Sequence, residues 1–119
     1  KPFFGWGTGV FPVLYFSETG FFNNHTHNLF LELSLNYGLI VSILVFSPII
    51  TLLINLYIKI YRKKSYKTNS NDRVWWGAAF LFFMIHMFDI PYYDLRIRIL
   101  GWVFLASIRN ILLSDCRPE

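Results

Sequence analysis

The stretch NNHTHNLFLEL gathers His25, His27, Asn28 and Glu32 directly ahead of a long apolar run. Imidazole exchanges a proton near neutral pH, so His25 and His27 are by type suited to proton transfer. A second cluster, His86, Asp89, Asp94, Arg96 and Arg98, follows far downstream. Guanidinium holds phosphate oxygens in a two-pronged grip, so either arginine suits an anionic substrate. Asp89 and Asp94 suit ion pairs that would hold an arginine in place, and the two roles are compatible.

Helices would have to position these groups. Residues 28 and 32 lie one helical turn apart, Asn36 lies one turn further, and His25 joins them if helical geometry reaches back that far. A stripe of this kind belongs against a bundle interior or a water-filled cavity, because lipid cannot solvate it. Asn28 also reads simply as a helix N-cap before LFLEL. His-x-His without a third ligand of suitable spacing is a weak zinc signal, and neither a metal nor a cofactor is expected. His86 and Asp89, three residues apart, would share one side of a helix. No P-loop, dinucleotide-binding glycine pattern or CxxC pair is present.

The 119 residues are 55% hydrophobic, 20% aromatic and 15% charged. The apolar residues fall in long blocks, which reads as an integral membrane protein. The longest block, Leu29 to Ile60, would measure about 48 Å as one helix, well beyond a hydrocarbon core of about 30 Å. Lys59, Arg62, Lys63, Lys64, Lys67 and Arg73 crowd the polar stretch at its end. That clustering marks a cytoplasmic side by the positive-inside tendency and argues against nucleic acid as the reason for the net charge of +4. The excess helix length then falls at the start, which puts the polar cluster at the outer membrane boundary. Pro48 predicts a kink, and Ser34, Gly38 and Ser42 predict a small-residue ridge for a closely packed helix. Most Trp and Tyr residues read as interfacial anchors.

The expected fold is all-α and membrane-integral, with about three transmembrane segments. Residues 1–28 form an extracytoplasmic loop or interfacial segment and 29–61 a long transmembrane helix. Residues 62–73 form a cytoplasmic loop, and 74–113 a transmembrane hairpin with its periplasmic turn near 89–95, at Pro91. Residues 114–119 form a cytoplasmic tail. The opening residues carry neither an initiator methionine nor a signal-peptide pattern, so the chain reads as the carboxy-terminal fragment of a longer helical bundle. The lone Cys116 reads as an incidental thiol.

GWGTGVFP, then HTHNLFLELSLNYGLIVSILVF, then a short loop and a hairpin opening HMFDIPYYDLR resembles the carboxy-terminal part of the O-antigen ligase and polymerase family. The most specific element is His-x-His-Asn followed by an apolar helix with Glu32 and Gly38. The resemblance implies a multi-pass protein of the bacterial inner membrane with its active cavity on the periplasmic side. It implies glycosyl transfer from an undecaprenyl-diphosphate-linked glycan to a lipid A core or growing polysaccharide acceptor, without nucleotide or required metal. The implied catalytic residues are His25, His27 and His86; Asn28, Glu32, Asp89, Arg96 and Arg98 would bind or position substrate. The partners are the lipid-linked glycan, the acceptor, membrane lipid and the remaining helices of the full-length protein, without which this fragment is not expected to be active. Two other readings are a fragment of a bicarbonate-type transporter and a non-catalytic remnant. A transporter should place its charges at the bilayer midplane and often shows repeated broken helices. The polar cluster here lies at the boundary instead.

Overall fold

The computed structural model describes residues 1–62, 69–89 and 94–114. Those residues are all-helical: α1 (Phe11–Thr19), α2 (Leu29–Tyr37), α3 (Leu39–Tyr61), α4 (Ser70–Ile85) and α5 (Leu95–Leu113). They fall into two compact units, one of Lys1–Ser47 with Ile85–Tyr92 and one of Pro48–Met84 with Tyr93–Glu119. The expected turn at Pro91, the lysines Lys63, Lys64 and Lys67, Cys116 and Arg117 lie outside the described residues.

In the first unit, the single helix expected over 29–61 is two helices, broken at Gly38. Gly38 has φ 88° and ψ 166°, a region open essentially to glycine alone. The opening loop enforces the break. Trp6 N–H donates to the Leu35 carbonyl at 2.8 Å, and Gly7 N–H donates to the Asn36 carbonyl at 3.0 Å. Leu39 N–H donates to the Pro2 carbonyl at 2.8 Å, so both sides of the break are hydrogen-bonded to residues 1–7. A helix end otherwise leaves its last carbonyls without donors, and here the loop supplies them. The approach is close enough that a Cβ on Gly5 would lie 2.5 Å from the Asn36 carbonyl, and one on Gly38 would strike the Phe3 carbonyl.

The small-residue pattern Ser34, Gly38, Ser42 therefore does a different job from the expected helix-packing ridge. Backbone of the opening loop comes up against Gly38, and Ser34 Oγ donates across the break to Ser42 Oγ at 3.0 Å. The segment read as loop over 1–28 also contains α1. Its proline sits in the first turn, where a missing N–H costs nothing, and Gly20 ends it in the left-handed conformation at φ 73°.

In the second unit, Leu56 and Ile60 of α3 pack with Ala79 of α4 and Ile108 of α5, flanked by Leu52, Leu53, Trp76 and Phe104. Trp76 is not a free interfacial anchor: its indole N–H donates to the Leu53 carbonyl at 2.9 Å, and its ring stacks on Phe80. Gly101 is buried because Phe82 fills the space beside it; a Cβ there would lie 3.1 Å from that ring.

Lys59, counted above with the exposed basic stretch, is 6% exposed inside this unit. Its ammonium donates to the Ile111 carbonyl at 2.6 Å, at the end of α5 where a cation meets the negative pole of the helix. Helix α4 opens at Ser70, inside the stretch expected to be loop; the Asp72 carboxylate accepts from the Asn69 amide at 3.3 Å, and the Asn69 side-chain oxygen accepts from Asn71 N–H at 3.3 Å. Pro48 lies inside α3 without ending it.

Among the described residues one helix, α3, is long and apolar enough to cross a membrane, with 23 residues that include an 18-residue stretch of mean hydropathy 2.5. At 1.5 Å per residue it would span about 35 Å. Helix α4 has 16 residues. Helix α5 carries Arg96, Arg98 and Arg109 among its 19.

Candidate functional site

The site lies in the first unit, where the start of α2 meets the residues that follow α4. Asn28 is the N-cap of α2, and its side-chain oxygen accepts from Leu31 N–H at 3.0 Å. The other end of the same amide donates to the Met87 carbonyl at 2.9 Å, and Leu29 N–H donates to the His86 carbonyl at 2.8 Å. Two donors at the head of α2 thus hold residues 86–87 by their backbone. Each such bond contributes about 1 kcal/mol, and an N-cap contributes a similar amount.

Glu32 fixes the segment on the other side of the cap. One carboxylate oxygen accepts from Thr26 N–H at 3.1 Å and the other from the Asn36 side-chain amide, also at 3.1 Å. Glu32 and Asn36 are 5% and 7% exposed, so the stripe predicted along α2 exists but faces into its own unit. His25 does not belong to it, because helical geometry begins at Leu29. Thr26, which has no obvious chemistry in the sequence, is wired at both ends: its hydroxyl donates to the Asn28 carbonyl at 2.9 Å.

Between these two anchors stands His27, the one non-glycine residue with positive φ among those described, at 54°. Left-handed backbone costs a residue with a Cβ about 1–2 kcal/mol, and such strain gathers at functional sites. Its Nδ1 lies 3.2 Å from Oδ1 of Asp89, with side-chain exposures of 53% and 66%. The rings of His25 and His27 lie 4.5 Å apart at 55°. One ligating atom each from His25, His27 and Asp89 fall within 4.8 Å of one another.

The remaining candidates are placed differently. His86 and Asp89 do not share a helical side: α4 ends at Ile85, and His86 is 4% exposed while Asp89 is well exposed. Asp94 is the N-cap of α5, accepting from Arg96 N–H at 2.8 Å. Arg96 and Arg98 are exposed in the first turn of α5, in the second unit.

The partnership the sequence did not reveal is His27 with Asp89, which are 62 positions apart. The sequence offers Asp89 the nearby arginines as partners, and nothing in local spacing signals the contact with His27. Chemically, a carboxylate that accepts from Nδ1–H fixes the tautomer of an imidazole and leaves Nε2 as a proton acceptor. Because both side chains are open to solvent, that nitrogen can reach an external hydroxyl.

Comparison with family models, with curated proteins and with solved structures gives no match.

Proposed function

We propose that this chain is the carboxy-terminal part of a membrane glycosyltransferase of the O-antigen ligase and polymerase kind. The observation that carries the reading is the exposed His27–Asp89 pair, 3.2 Å apart and mounted on strained backbone beside the Asn28 cap. In this reading Asp89 holds the Nδ1–H of His27, and Nε2 takes the proton of the acceptor hydroxyl as its oxygen attacks the anomeric carbon. The new bond joins acceptor oxygen to anomeric carbon, the bond from that carbon to the diphosphate oxygen breaks, and the electron pair leaves with the diphosphate. General-base assistance of this type contributes about 10²- to 10⁴-fold in rate.

Asn28, Glu32 and Thr26 act as positioning residues, since their polar atoms are engaged in holding the segment. Arg96 and Arg98 are the cations proposed for the diphosphate, on chemical grounds alone. His86, being buried, acts through the segment that carries Asp89 and not on substrate.

The membrane part of the proposal rests on α3 and on the apolar side chains exposed along it, among them Ile43, Leu44, Ile50 and Ile54. Lipid is the solvent that such a surface fits. About three spans are proposed, α4 and α5 forming the remaining two, with the basic stretch around Arg62 and Arg73 on the cytoplasmic side and His27 on the periplasmic side.

The test is transfer of undecaprenyl-diphosphate-linked glycan to its acceptor by the full-length protein in cells that lack their own ligase or polymerase. His27→Ala should reduce transfer at least a hundred-fold, and Asp89→Asn should reduce it less, with both proteins still inserted at wild-type levels. Wild-type polysaccharide from both variants refutes the assignment.

A further inference from the structure

We propose that His25, His27 and Asp89 form a binding site for one divalent transition-metal ion, best suited to zinc. Three features of the first unit point to it. Ligating atoms of the three residues gather within 4.8 Å on an exposed rim. Zinc bonds to imidazole nitrogen and carboxylate oxygen at about 2.0–2.2 Å, so two ligands of one tetrahedral ion stand about 3.3–3.6 Å apart. The His27 Nδ1 to Asp89 Oδ1 separation, 3.2 Å, is close to that edge already. The ligating atom of His25 lies within 4.8 Å of both and supplies the third corner of that face.

The second feature is the mounting. His25 and His27 flank Thr26, whose amide is held by Glu32 and whose hydroxyl is held by the Asn28 carbonyl. His27 then takes left-handed backbone at φ 54°. The residue between the two imidazoles is fixed at both ends, and their rings are brought to 4.5 Å. Asp89 comes from the other strand of chain, which the Asn28 amide and Leu29 N–H hold by the Met87 and His86 carbonyls. Every ligand therefore sits one to three residues from a hydrogen-bonded anchor, the arrangement that keeps metal ligands from scattering.

The third feature is donor type. Two imidazoles and one carboxylate suit zinc, cobalt or nickel, whereas magnesium and calcium prefer sets made of oxygen. Three protein ligands leave a fourth position for water, as in open zinc sites. The third ligand is the element that His-x-His lacks in the sequence, and only the fold supplies it.

The site uses the same His27–Asp89 edge as the proposed base, so zinc on Nδ1 takes the place of the proton shared with Asp89 and the loaded state excludes the base; the site is tested by binding and not by turnover. The full chain, purified in detergent with no histidine tag, is titrated with zinc chloride by calorimetry, and in parallel with cobalt(II) followed by its visible absorption. One equivalent of zinc per chain is expected, with a cobalt spectrum of tetrahedral intensity. His25→Ala and Asp89→Asn should each weaken binding at least ten-fold, and the double variant should abolish it. Both side chains are at least partly exposed, so helical circular dichroism should stay unchanged and report that the variants are folded. A tenfold molar excess of magnesium should not displace the zinc. Unchanged stoichiometry and affinity in the double variant would overturn the site, as would absence of zinc binding to the parent chain or displacement by magnesium. Loss of glycan transfer in His27→Ala with no zinc bound to the parent would refute the metal site and leave the base assignment intact.

Discussion

Replacing Gly38 by alanine tests the feature on which the site's geometry depends, because the two architectures give opposite signs. In a continuous helix over 29–61, Gly→Ala would stabilise by about 1 kcal/mol through helix propensity. In the broken arrangement Gly38 holds φ 88° and ψ 166°, and a side chain there costs about 1–3 kcal/mol in backbone strain. The added Cβ also meets the Phe3 carbonyl, so the loop must retreat. Retreat would weaken the Leu39 to Pro2 hydrogen bond, about 1 kcal/mol more. The sum is a destabilisation of about 2–4 kcal/mol, equivalent to about thirty- to several-hundred-fold in an opening equilibrium. Amide hydrogen exchange on the full chain in micelles reads it directly: Trp6, Gly7 and Leu39, whose amides bridge loop and break, should exchange faster by that factor. Gly20→Ala is the control, since Gly20 shares a positive φ of 73° but its Cβ would meet nothing within 4 Å. It should show strain alone and leave those three amides unaffected. Slower exchange in Gly38→Ala would refute the break, and an effect confined to that of Gly20→Ala would refute the close approach of the loop.

Three further outcomes follow from named contacts. Asn28→Asp keeps the cap oxygen but removes the donor to Met87, so it should cost about 1 kcal/mol, while Asn28→Ala loses both and should cost about 2 kcal/mol in denaturant unfolding; no loss in Asn28→Asp would show that the Met87 bond contributes nothing, and equal losses would show the same of the cap. Lys59→Met removes the donor to the Ile111 carbonyl while keeping the apolar stem, and should speed amide exchange in the last turn of α5 without altering α2. Gly101→Ala should be close to neutral, because its propensity gain of about 1 kcal/mol is offset by the shift forced on Phe82, whereas Gly101→Leu should destabilise by about 1–3 kcal/mol in thermal unfolding.

Much of this molecule is written locally. The apolar blocks dictate helices, and Asn28 announces itself as an N-cap before LFLEL. The residue types for proton transfer, His25 and His27, are likewise visible, because imidazole chemistry belongs to the side chain and not to its setting. Gly38 is visible too, but not the break it makes. Its neighbours are apolar on both sides, so periodicity runs straight through, and the break comes from carbonyls at Leu35 and Asn36 bonding amides some thirty positions earlier.

The site shows the same division. Glu32 and Asn36 could be placed one turn apart from spacing, yet whether that stripe faced a substrate cavity or its own unit depended on what the opening loop and Thr26 presented to it. Lys59 looked like a loop charge until α5 offered its carbonyl end. His27 and Asp89 carry no mutual signal at all, because a contact between positions 62 apart is set by two backbone anchors, Asn28 to Met87 and Leu29 to His86, and neither anchor uses the chemistry of the residues it brings together. Side-chain chemistry and helix limits are short-range properties of the chain; which imidazole meets which carboxylate is decided only when distant backbone segments find donors in one another.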